Sequence, residues 1–210
     1  MVIEQGSERY LQVTPSGAYY ATVNSHPDEA RAILLQLLSI DEPIPFSIEL
    51  FAEIADLENE HAEQLFNRLL AKRFLALSDT SPTFRKGSLE SILSDILPHL
   101  STDGKVVLGD DQGFCLAQSG YPQEKADAMA AMAADVISLH NRHHQLINNA
   151  LGVVGQSWGI LDAVGNSQLG SWVFYVGSQA FVLVIQEQPL FNQQQFVELL
   201  SALASRYLDN

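Results

Sequence analysis

"KVVLGDDQGFCLAQSG", residues 105–120, places two short apolar runs on either side of paired aspartates and a glycine. Such a stretch is either a loop that holds a metal or phosphate, or the corner of a hairpin. Asp110 and Asp111 are adjacent, whereas a calcium loop draws its oxygen ligands from alternate positions and closes on a glutamate. No glycine-rich cradle surrounds them for a phosphate. Gln112 and Gly113 instead complete a turn, Gly113 being free to take a positive φ. The spacing therefore predicts two strands, "KVVLGD" and "FCLAQS".

Outward from this hairpin the pattern stays regular. Ser88 is placed to cap a helix in which Leu89, Ile92, Leu93, Ile96 and Leu97 recur at helical spacing, and Pro98 ends it. After the hairpin a long Ala- and Met-rich helix runs from about Pro122 to Ile147. "VVGQSWGILDAVG", "SWVFYVG" and "AFVLVIQE" read as three further strands, separated by "NSQLG" and by the Ser-Gln pair after Gly177. Asn192 and Gln195 are spaced like a capping box ahead of Phe196, Leu200, Leu203 and Tyr207. The order is helix, two strands, helix, three strands, helix.

Asp110, Gly113, Ser119 and Gly120, the "ADAMAAMAADVISL" helix and the "GSQAFVLVIQEQ" strand occur in this order. With them, residues 87–210 resemble the Roadblock/dynein light chain family, including its bacterial MglB-type members. The resemblance implies an α-β-β-α-β-β-β-α domain with a five-stranded antiparallel sheet. It also implies a homodimer, formed along the third strand with the second helices packed on the same side. Family function is by contact: bacterial members bind small Ras-like GTPases, and some raise their GTPase activity. Others serve as scaffolds or receptors in motility, polarity and signalling.

The residues agree with a dimer on their own account. "SWGILDAV" leaves Trp158, Ile160 and Leu161 near an open strand edge, an aggregation hazard that self-pairing removes. The long helix carries two apolar stripes, Met129, Ala133, Ile137 and His140 on one side and Met132, Val136, Leu139 and Leu146 on the other. One stripe can cover the chain's own sheet while the other meets a partner. The expected dimer contacts are Trp158, Ile160 and Leu161 with Met129, Ala133, Ile137 and His140.

"DTSPTFRKG", residues 79–87, is a run of turn formers that divides the chain into 1–86 and 87–210. The first part opens with an expected hairpin, "YLQVTP-SG-AYYATV". Three helices follow. One starts at Pro27, Asp28 and Glu29, one is capped by Ser47 and carries Ile48, Phe51, Ile54 and Ala55, and one buries Ala62, Leu65, Phe66, Leu69 and Leu70. "FLAL" and a Ser-Asp-Thr-Ser-Pro turn complete the pattern as a strand and a wing. Residues 20–86 thus resemble a winged-helix module, and the chain as a whole is α+β. In DNA-binding members the third helix enters the major groove. Here it opens with Glu58, Glu60 and Glu63, and its bases Arg68, Lys72 and Arg73 come late, where they complement the helix dipole.

Composition narrows the function further. Of 210 residues, 47% are hydrophobic, enough for a sizeable core, and 25 acids against 11 bases give a net charge of −14. Such a field repels nucleic acid and anionic lipid. No apolar run approaches the roughly 18 residues that span a bilayer, and no amino-terminal signal pattern is present, so membrane insertion is not expected and a cytoplasmic setting is. Cys115 sits in an apolar run without an activating base.

His140 and His144 lie one helical turn apart, with His143 beside them, but Asp135 and Asn141 do not complete a zinc site. Protonation of that histidine group at a dimer seam would set like charges against each other. "GQSWG", residues 155–159, spells a hydrolase nucleophile elbow yet runs into a strand, and no P-loop is present. No catalytic, cofactor or metal site is expected. The reading is a dimeric, non-enzymatic adaptor or regulator whose partners are a second copy and a small Ras-like GTPase or another signalling or motility protein. The alternatives are a dimeric winged-helix transcription factor and a structural subunit of a larger assembly.

Overall fold

In the computed structural model, which describes residues 9–25, 28–152 and 157–208, the chain opens with strand β1 (Tyr10–Val13). Four helices follow: α1 (Pro15–Thr22), α2 (Glu29–Ser39), α3 (Ile48–Ala55) and α4 (Asn59–Ala71). Strand β2 (Leu75–Ser78) closes this half. The second half runs α5 (Leu89–Ile96), β3 (Val106–Asp110), β4 (Cys115–Ser119), α6 (Gln123–His144), β5 (Ser157–Leu161), β6 (Ser167–Val176), β7 (Gln179–Gln186) and α7 (Gln194–Tyr207).

The second half holds a five-stranded antiparallel sheet in the order β4-β3-β7-β6-β5. Its central strand β7 is apolar along nearly its whole length because both of its faces are covered. Ala180, Val182 and Val184 point to α6, packing in one cluster with Ala126, Ala130, Ala133 and Ile137. Phe181, Leu183 and Ile185 point the other way, into a cluster with Leu93, Ile96, Phe196, Leu200 and Leu203 of α5 and α7. The alternation follows from the two-residue period of a strand. That second cluster continues without a break into Leu34, Leu38, Phe51, Leu65 and Leu69 of the first half.

The hairpin stands where the sequence placed it. Asp110 Oδ1 accepts from the Gln112 and Phe114 amides at 3.0 and 2.9 Å, and Gly113 closes the turn at φ +87°. Ser47 and Ser88 cap α3 and α5, their hydroxyls accepting from the amides of Leu50 and Ser91. Asp28 caps α2 by accepting from the Arg31 amide, and Pro27 lies outside the described residues.

Several expectations are corrected. The hairpin over "YLQVTP-SG-AYYATV" is absent: Tyr10–Val13 is a strand, but Pro15 starts a helix. Thr14 caps that helix through its hydroxyl, and Pro15 takes the first-turn position where its missing amide costs nothing. β1 pairs with β2, and the stretch around Pro45 bridges to the other side of β1, with the Leu11 amide donating to Ile44 and the Phe46 amide to Arg9. β2 therefore finds its partner before the helices, and no strand follows it in 79–88 to make a wing.

β6 begins at Ser167, so most of "NSQLG" is strand. Its Gly170 lies under the Trp172 ring, where a Cβ would come within 2.2 Å. α7 is preceded by Gln193 in the cap position without a capping side-chain bond, in place of an Asn192 box. The Gln193 amide group instead reaches the carbonyls of His99 and Leu190.

Candidate functional site

β5 is an edge strand whose backbone pairs with β6 on one side, from Ser157 opposite Trp172 to Leu161 opposite Ser167. Every residue of β5 is exposed, Ile160 and Leu161 to 60% and 59%. Val164 in the following turn is exposed too. Such an edge presents unpaired amides and carbonyls with apolar side chains beside them, the combination that adds a further strand.

α6 packs on β3, β4 and β7, meets β5 through His140, and divides its two stripes as its periodicity requires. Ala133, Ile137 and His140 are buried against the chain's own sheet, and Met129 is half-buried among them. The sequence expects these four at a partner contact; in the single chain they pack against its own sheet. Met132, Leu139 and Leu146 form the exposed stripe. Beyond His144 the helix widens into a π-helical turn, Gln145–Ala150, and Leu151 beyond it is exposed. Residues 136–161 contain no Asp or Glu in a chain that has 25. The β5 edge, Leu139 and Leu146 thus lie in an acid-free stretch of an acidic molecule.

His140 joins the two elements. Its imidazole is 4% exposed and accepts at Nδ1 from the Trp158 indole Nε1 at 3.3 Å, the two rings crossing edge to face at 84°. Its Nε2 is buried with no hydrogen-bond partner. Burial first, and the neighbouring His144 second, hold its pKa below the ordinary value. His144 is exposed and its Nδ1 lies 2.8 Å from the Asn141 carbonyl oxygen. The pair spaced like zinc ligands therefore diverges, and among the described residues no group of three His, Cys, Asp or Glu side chains is placed to hold a metal.

The remaining sequence signals have local explanations. Ser157 of "GQSWG" opens an edge strand and not a strand-to-helix elbow, while Gly155 and Gln156 lie outside the described residues. Burial pushes the Cys115 thiol up, and its Sγ lies 3.6 Å from the Ala117 carbonyl oxygen. Sequence patterning missed a groove of about 490 Å³ lined by residues 82–87 together with Val13, Leu37, Ile92 and Val197. Arg85, one of the lining residues, pairs with Glu198 at 2.6 Å and Asp95 at 3.6 Å. Turn-rich sequence carries no sign of what it will cover. Among the described residues no helix is long and apolar enough to cross a membrane.

Residues 88–208 thus have the order α-β-β-α-β-β-β-α around a five-stranded antiparallel sheet. The chain is similar to the Roadblock/LC7 domain from Streptomyces avermitilis, with 16% identity over 57% of this chain and 93% of that one at a TM-score of 0.36. It is also similar to Myxococcus xanthus MglB, at 16% identity, coverage of 56% and 88%, and a TM-score of 0.33. A third similar structure is the gliding protein MglB from Thermus thermophilus, at 18% identity, coverage of 60% and 93%, and a TM-score of 0.36. No family model and no curated protein matches the chain.

Proposed function

We propose that this chain is a cytoplasmic, non-enzymatic homodimeric regulator that docks a small Ras-like GTPase or a comparable signalling protein. Two copies pair along β5, with the outer stripes of their α6 helices together. The observation that carries this reading is the open, apolar edge of β5, together with the exposed Met132, Leu139 and Leu146 on α6. Charge supports it: two molecules of net charge −14 repel over most orientations, and an acid-free stretch is where they approach at least cost. The GTPase partner follows from the Roadblock resemblance in sequence. The amino-terminal unit, residues 1–86, supplies a second contact surface. Exposed Glu58, Glu60 and Glu63 at the start of α4 weigh against nucleic acid as its ligand.

Sedimentation velocity on the parent and on the double variant Ile160→Lys, Leu161→Lys tests the dimer. Both side chains are exposed in the single chain, so the variant keeps its fold by circular dichroism while the dimer becomes monomer. A parent that stays monomeric at tens of micromolar, about the range of a weak biological dimer, overturns the reading. Pull-down with small GTPases loaded with GDP or a GTP analogue then tests the partner. Binding that depends on nucleotide state supports it, and a salt-sensitive DNA shift without GTPase capture replaces it with the transcription-factor alternative.

A further inference from the structure

We propose that His140 is a positioning residue that latches the β5 edge: neutral, it accepts the Trp158 indole hydrogen bond and holds the strand, and protonated, it releases it.

The indole N–H can only donate, so the ring nitrogen it meets must present a lone pair. Trp158 Nε1 meets Nδ1 at 3.3 Å, which places the imidazole proton on Nε2. Protonation puts a second N–H on Nδ1, pointing at the indole N–H, and removes the bond. It also creates a cation at a site only 4% exposed. Among the described residues no carboxylate is placed to offset that charge. β5 and β7 hold no titratable side chain, and β6 offers only Tyr175. On β3 and β4, Asp110 and Cys115 flank a turn that packs at Ala130 and Ala131, more than two helical turns before His140. On α6 itself the neighbours are Asp135, Arg142, His143 and His144, of which His144 disfavours the charged ring.

Among the described residues the strand is held chiefly by its pairing with β6. All five residues of β5 are exposed, and apart from the β6 ladder the Trp158 side chain is its hold on α6 through the hydrogen bond and the edge-to-face contact. The device differs from like charges meeting across a dimer seam, because His140 faces its own sheet. Its effect on self-association rests on the dimer reading above, whereas the latch itself does not.

The sign follows from the direction of the shift. A buried neutral histidine held below its ordinary value of 6.5 contributes stability at neutral pH, and that contribution is lost as pH falls below 6.5 and through the lower folded value.

Hydrogen exchange of the full chain, read on peptides covering residues 157–161 and corrected for intrinsic rates, tests the latch between about pH 7.5 and about pH 5. The expected result is a loss of β5 protection on the order of tenfold at the lower pH, with the central strand β7 unchanged. His140→Asn, whose side-chain oxygen can replace Nδ1 as acceptor without titrating, keeps the protection at both values, whereas His140→Leu lacks it at both. His143→Gln and His144→Gln retain the parent's pH response. If the Asn variant fails to fold, the parent's Trp158 indole proton resonance serves in its place and shifts with the same midpoint as the His140 ring protons. Parallel behaviour of parent and Asn variant, or an indole resonance indifferent to the His140 titration, overturns the proposal. Sedimentation on the same samples separates the two readings: a chain monomeric throughout removes the dimer while the exchange data still decide the latch.

Discussion

Gly17 lies inside α1 with no need of glycine's left-handed freedom, yet a Cβ there would stand 2.1 Å from the Phe74 carbonyl oxygen. Helix propensity alone favours Gly17→Ala by about 1 kcal/mol. The clash is with backbone that cannot turn aside, so the expected outcome is a net destabilisation of about 1–3 kcal/mol, read as a lower urea midpoint at unchanged slope. A higher midpoint would mean that α1 does not approach β2 so closely. Gly113 makes the contrast. It needs φ +87°, and an added Cβ would lie 3.1 Å from Ala131 Cα, so Gly113→Ala is expected to cost at least about 1 kcal/mol in the same measurement. The role of Gly113 was readable in "DDQG" because turn chemistry is local. That of Gly17 was not, because the atom it avoids is far along the chain. His140 shows the same division: its helical neighbour His144 is visible in the sequence, but its hydrogen-bond partner is Trp158 on a strand.

Among the elements, the five strands and flanking helices of the second half follow from periodicity, while "TPSG" was misread. Ser-Gly between two apolar runs satisfies the rules of a hairpin, and Thr-Pro satisfies those of a helix start. What decides is β2, which occupies the pairing side of β1 that a hairpin strand would have taken. Thr14 sits at that junction: its hydroxyl accepts from the Gly17 amide at 3.1 Å and donates to the Arg73 carbonyl at 2.7 Å. Thr14→Ala is expected to lose about 1–2 kcal/mol of stability, and Thr14→Ser to restore most of it. Chemical denaturation of both variants checks this, and equal losses would assign the effect to the methyl group instead. The two stripes of α6 were visible as a pair, but hydropathy could not say which one faces inward. Ala133 and Ala130 settle it, since their small side chains let the helix lie close on the β3–β4 hairpin, a Gly109 Cβ coming within 3.1 Å of Ala130.

At the scale of the molecule, sequence patterning marks which faces are apolar and leaves open what covers them. The turn-rich 79–87 stretch reads as a boundary, yet α2 and α1 pack on α7 and β6 of the other half. Leu34 and Leu38 share one buried cluster with Leu199 and Leu203, Tyr19 meets Phe174 edge to face at 6.2 Å, and the Ser201 hydroxyl donates to the Leu38 carbonyl at 2.7 Å. A core shared in this way couples the unfolding of the two halves. Both tryptophans, Trp158 and Trp172, lie in the second half, so their fluorescence reports on that half alone, whereas far-ultraviolet circular dichroism sees every helix. The two denaturation curves are expected to coincide. Leu34→Ala, at a fully buried position of α2, is expected to shift both together by about 2–5 kcal/mol. If the circular dichroism curve moves and the fluorescence curve does not, the halves unfold separately and the contacts between α2 and α7 contribute little. A joint shift means that a change in the core of one half is felt beneath the sheet of the other.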